Sequence, residues 1–127
     1  MKNIFLFFVM IFLVSGCATQ KAYEGQSRNS NELSKIKPAS GVVIKGVDGY
    51  WLDKLKSGSF ETLPGKHTVK VFLPLGPNFG YGTTPTVELI FNTEPGKAYV
   101  VDYKGNINSD GHYIVIEEGT GKIVLKK

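Results

Sequence analysis

The sequence predicts an all-β fold, a small antiparallel sandwich or barrel of about seven strands. Three features point to it. Between residues 41 and 127, β-branched and aromatic residues form short runs, with period-two alternation across His67–Leu73. Clusters of Gly, Pro, Asn and Asp break that stretch into short runs. No part of it sustains a helical period.

The strands follow in order. Val42–Val47 is the first, and Asp48-Gly49 is a strong tight-turn signal. Tyr50-Trp51-Leu52 begins a second, followed by Gly58–Leu63. Pro64-Gly65 turns the chain into His67–Leu73, where Val69, Val71 and Leu73 share one face and Thr68 and Lys70 the other. In Thr86–Phe91, the side chains of Val87, Leu89 and Phe91 share a face. Glu94-Pro95-Gly96 turns into Lys97–Tyr103. His112–Glu117 and Lys122–Lys126 close the domain across a Gly119-Thr120-Gly121 turn. The lysines of the last strand protect it from edge-to-edge pairing.

Upstream the composition changes. Lys2 supplies a short positive region, and Ile4–Val14 is almost purely apolar. This run of about eleven residues lies within the roughly 7–15 of a secretory leader and short of the roughly 20 that span a bilayer. Leu13-Val14-Ser15-Gly16-Cys17 then resembles the lipobox of bacterial lipoproteins. Small side chains before the cut let the extended chain enter a narrow protease groove, and the cysteine thiolate is the nucleophile that takes a diacylglyceryl group. The resemblance implies cleavage before Cys17, a thioether lipid on it, and a further acyl chain such as palmitate on the new amino group. Two or three chains anchor stably where one binds marginally. Cys17 is the chain's only cysteine, so no internal disulfide can form, and lipidation removes a free thiol. Ala18 stands where an Asp commonly retains such proteins at the inner membrane. The resemblance thus implies the cell envelope: the outer membrane facing the periplasm in a Gram-negative cell, or the outer face of the plasma membrane in a Gram-positive one.

In residues 17–40, after the cysteine, the large apolar side chains are Tyr23, Leu33 and Ile36 alone. Such a stretch reads as a flexible tether. A short helix over Asn31–Lys37 stopped by Pro38, and docking of the tether on the domain, are the alternatives. The expected organisation is a leader at 1–16, a lipidated tether at 17–40 and a β domain at 41–127. The formal charge of +4 falls to about +3 without the leader, and the basic residues are scattered. They form no nucleic-acid footprint.

Pro64-Gly65-Lys66-His67-Thr68-Val69 is echoed by Pro95-Gly96-Lys97-Ala98-Tyr99-Val100, the same turn chemistry launching two strands. Together with Gly46-Val47-Asp48-Gly49, these segments resemble a group of small bacterial lipoproteins with a PEGA-like β-sandwich domain. There a Val-Asp-Gly turn, a Leu-x-Pro-Gly-x-His turn and a Pro-Gly-x-x-Tyr turn recur in this order. The similarity covers about sixty residues, mostly turns, and implies a fold and an envelope location without a reaction.

Three groups of residues are candidates for function. Asn106, Asn108 and Asp110, with Gly111 and Glu117, fit a relaxed calcium-loop pattern of alternate oxygen donors. Against it, Asn106 brings no charge, Tyr113 replaces an aliphatic residue and the flanks read as strands. In a strand, Glu117 lies about 20 Å along the chain from Asp110, so a polar hairpin loop is the plainer reading and no metal is expected. Residues 74–85 form the longest run without strand character, and long loops often carry function. Leu75, Phe79 and Tyr81 are its expected partner-binding residues, with Tyr50, Trp51 and Tyr103 as neighbours; alternatively they fold back as a lid on an open end of the sandwich. Last, His67 and His112 are the mature chain's histidines, with Asp102, Asp110, Glu117 and Glu118 as potential orienting carboxylates. No nucleophile elbow and no His/Cys cluster accompanies them, so no catalytic residue and no cofactor is expected. These features imply a non-enzymatic envelope module, held to the membrane by lipid, that binds an envelope protein and no nucleic acid. A small-ligand, glycan or calcium binder and a purely structural spacer are the alternatives.

Overall fold

The computed structural model describes residues 19–51, 58–77 and 80–127. The leader, Cys17, Leu52 and Phe79 lie outside the described residues. The described strands are β1 (Thr19–Lys21), β2 (Ser34–Pro38), β3 (Val43–Val47), β4 (Tyr50–Trp51), β5 (Ser59–Thr62), β6 (Gly65–Phe72), β7 (Val87–Thr93), β8 (Ala98–Lys104), β9 (His112–Glu117) and β10 (Ile123–Lys126). They form a six-stranded sheet of order β1-β5-β2-β8-β9-β10 and a four-stranded sheet of order β4-β3-β6-β7. The molecule is a sandwich and not a closed barrel. No helix among the described residues is long and apolar enough to cross a membrane.

Period-two patterning decides which side chains fill the space between the sheets. Val69, Val71 and Leu73 are buried while Thr68 and Lys70 face outward; Leu89 and Phe91 are buried while Glu88, Ile90 and Asn92 are exposed. From the small sheet Ile44, Val47, Val69, Val71 and Leu89 join Ile36, Phe60, Tyr99, Val101 and Val115 of the large sheet in one core cluster. Burial of each such side chain contributes about 1.5–3 kcal/mol.

The largest departure from the sequence reading is at residues 19–40. The expected tether is part of the sandwich, and the docked alternative holds in a strong form. β1 pairs with β5, and β2 lies between β5 and β8. The helix considered for Asn31–Lys37 is instead a 3-10 turn at Ser30–Glu32 followed by strand. The reason lies in the backbone. The Lys35 N–H donates to the Lys97 carbonyl, the Gly96 N–H to Leu33, and the Ala39 N–H to Val101. The Ser34 hydroxyl adds a bond to the Glu94 carbonyl at 2.8 Å. A strand flanked on both sides satisfies its amides without a high apolar content. The large apolar residues the segment does carry, Tyr23, Leu33 and Ile36, are all buried. Pro38, which has no amide to donate, is the last residue of β2.

Strand directions sort the connections between two ends. β5 runs into β6 through residues 63–64, and β7 into β8 through 94–97, so these turns and Asp48-Gly49 share one end. The 73–86 connection, the 105–111 loop and the carboxyl terminus share the other. The amino-terminal end of β1, parallel to β5, points toward that second end.

Candidate functional site

The turn end is held by polar latches built from the motif residues. Asp48 takes a left-handed conformation (φ 50°) and is followed by Gly49 at φ 86°, the geometry of a two-residue hairpin turn. Its Oδ1 accepts from the Thr68 N–H at 2.8 Å, and its Oδ2 pairs with Nδ1 of His67. The other ring nitrogen, Nε2, faces the Leu63 carbonyl. With an acceptor at each nitrogen, the buried imidazole tethers the β3–β4 turn to the crossover that launches β6. His67 thus meets Asp48, not one of the carboxylates proposed for it from the sequence. The second latch repeats the idea. The Tyr99 hydroxyl, on a 2% exposed side chain, accepts from the Glu94 N–H at 2.9 Å. That resembles the tyrosine corner of immunoglobulin-like sandwiches. Lys97 pairs with Glu94 and, at 3.2 Å, with buried Glu117. Lys97 holds the Glu94 carboxyl below its ordinary value, and the two carboxylates raise Lys97.

The remaining catalytic and metal candidates do not assemble. His112 faces the Asp110 carbonyl through Nδ1 at 3.2 Å, Asp102 pairs with Lys104 at 3.1 Å, and Glu118 pairs with Lys37. In the 105–111 loop one side-chain oxygen each of Asp110 and Asn106 is engaged by the loop's own amides. Asp110 Oδ1 accepts from the Asn106 N–H, and Asn106 Oδ1 from the Asn108 N–H, each at 2.9 Å. The Asn106 amide holds the Asp110 carboxyl below its ordinary value. Glu117 lies opposite Tyr99, five register positions from the His112–Lys104 pair at the loop. Among the described residues no group of three or more His, Cys, Asp or Glu converges to hold a metal ion.

Residues 73–77 and 80–84 extend the β6–β7 hairpin into an arm. Pro74 pairs with Thr83, the Leu75 N–H donates to Gly82, the Tyr81 N–H to Leu75, and the Thr84 N–H to Leu73. The Tyr81 ring rests on Gly76, where a Cβ would come within 2.1 Å of it. Tyr81 is otherwise open, at 81% exposure, and Leu75 is half-buried. Where the arm leaves the sandwich a cleft of about 290 Å³ opens toward the 105–111 loop. Leu73, Val87, Tyr103, Ile107, His112 and Tyr113 are among its walls. Tyr103 and Tyr113 meet edge to face, centroids 5.0 Å apart. Burial pushes the Tyr113 phenol up, against the nearby Thr84 hydroxyl. Of the aromatic neighbours expected for the arm, Tyr103 is there, whereas Tyr50 and Trp51 lie on β4, across the small sheet at its other edge. The cleft escaped the sequence reading because its walls come from both sheets.

Comparison with known protein families, with curated proteins and with solved structures returned no match.

Proposed function

We propose that the protein is a lipid-anchored, non-enzymatic module of the bacterial envelope whose 73–84 arm binds a protein partner. One observation carries the reading: a hydrogen-bonded hairpin arm presents Tyr81 at 81% exposure, and a largely apolar cleft opens at the base of that arm. Tyr is a rigid side chain with an apolar body and a polar tip, suited to anchoring an interface. An arm ordered by its own backbone loses little entropy on binding. Leu75 and Phe79 complete the proposed contact, and lipid on Cys17 holds the domain at the membrane. The non-enzymatic reading is supported by His67, whose ring is committed to Asp48 and Leu63.

Removal of residues 76–84 tests this. The module reading expects a folded domain with unchanged far-ultraviolet circular dichroism that no longer captures its partner in crosslinked cells. A deletion that unfolds the domain makes the arm a structural lid and refutes the reading.

A further inference from the structure

We propose that Trp51, Lys45 and Lys70, on the outer face of the four-stranded sheet, form a contact for the headgroup layer of an anionic phospholipid membrane. The proposal rests on the lipid-anchored reading above and adds a second, non-covalent point of membrane contact.

Trp51 is 47% exposed on edge strand β4, yet it is held in place. Gly46 lies opposite it. A Cβ on Gly46 would come within 2.8 Å of the Tyr50 carbonyl and 3.6 Å of the indole, so the ring covers bare backbone. The register shift between Ile44 and Gly46 is a β-bulge, a device that re-aims a side chain. Here it brings Lys45 to the face of Trp51. The ammonium groups of Lys45 and Lys70 each lie 5.1 Å from the indole centroid. Glu88, 3.9 Å from Lys70, offsets part of their charge. A cleft of about 190 Å³ beside the ring is lined by Gly46, Asp48, Gly49, Trp51, Thr68 and Lys70. Both Asp48 oxygens are already engaged, by His67 and by the Thr68 amide. Asp48 keeps its carboxylate charge on the cleft's rim, so the cationic part of the face is the pair of ammonium groups at the indole.

The chain itself says what covers the face. Gln20 Nε2 donates to the Trp51 carbonyl at 2.8 Å. Cys17 precedes Gln20 by three residues, at most about 10 Å of extended chain. A lipid on Cys17 thus brings this edge of the sandwich to the bilayer surface. Indole is favoured in the headgroup layer, and each lysine near an anionic leaflet strengthens binding about fivefold.

Trp51 is the single tryptophan, so its fluorescence reports on this face alone. The full-length lipidated protein is reconstituted into vesicles of phosphatidylethanolamine and phosphatidylglycerol, with and without lipids brominated near the headgroup end of the acyl chains. The expected result is quenching by the brominated lipid, with a blue shift against neutral phosphatidylcholine vesicles. Lys45→Gln with Lys70→Gln loses both while the protein still floats with the vesicles. If the protein floats and carries the acyl mass on Cys17 but Trp51 is unquenched, the membrane contact is overturned and the anchor stands. Absence of acyl mass on Cys17 overturns both. Full quenching in the double variant removes the lysines' role and overturns the proposal. A fluorescence response to soluble peptidoglycan fragments, and none to brominated lipid, assigns the face to a glycan and overturns it as well.

Discussion

Strand β2 and the 73–84 arm are both held largely by backbone hydrogen bonds, yet Ile36 on the first is fully buried and Tyr81 on the second is 81% exposed. β2 has a partner strand on each side and a facing sheet above it, so its few apolar side chains are enclosed. Among the described residues, the arm's backbone hydrogen bonds beyond Leu73 and Thr84 run within the arm itself. Enclosure here follows from the number of strands around a segment more than from its apolar content. The part that reads as a linker is thus enclosed in the sandwich, and the part richest in Gly, Pro and aromatics stands open to solvent at Tyr81.

The comparison can be broken most decisively at β2. Ile36→Ala empties a central core position, and an expected loss of about 2–5 kcal/mol follows from lost burial plus the cavity. Urea unfolding measures it. A loss near zero would mean that β2 is peripheral.

A smaller effect is expected where the arm joins the sandwich. The Tyr113 hydroxyl is buried there beside the Thr84 hydroxyl, and burial raises its pKa from the ordinary value near 10. A group raised in the folded state adds stability that is fully present below its unfolded pKa and is lost as pH rises through the folded one. Tyr113→Phe should therefore flatten the fall in Tm above about pH 10 while leaving stability at neutral pH unchanged or slightly higher. A variant that weakens at neutral pH and keeps the alkaline slope contradicts this.

Much of the fold could be read from residues 41–127 because there alternation is strong. Val69-Lys70-Val71 and Leu89-Ile90-Phe91 sit beside turn residues that leave one reading. β1 and β2 could not be read in that way. Thr19-Gln20-Lys21 has no large apolar residue, and Ser34-Lys35-Ile36-Lys37-Pro38 has one, so their place depends on long-range pairing with Ser59–Glu61 and Ala98–Val101. Leu75 and Tyr81 were legible as an unusual aromatic run, but the Pro74–Thr83 pairing that makes it an arm was not, since its Gly and Pro content reads as loop. His67 stood out as one of two histidines; its partner Asp48 is nineteen residues away, across two strands. The Trp51 face was hidden by the bulge at Lys45, which breaks the alternation used to assign faces.

The smallest stability effect expected is at Tyr81 itself. Tyr81→Ala should shift unfolding by no more than about 0.5 kcal/mol, as for an exposed side chain, while it removes the proposed anchor of the interface. Calorimetry on the variant separates this from a structural role, which would cost more.

The most direct test of the proposed function is photo-crosslinking in intact cells, with a reactive residue at position 81 and a control at Ser30, which is exposed on the short turn before β2. The account predicts a discrete protein adduct at position 81 and none at Ser30. If the folded, lipidated protein gives no adduct at 81, or the same adducts at both positions, the arm is not a binding surface.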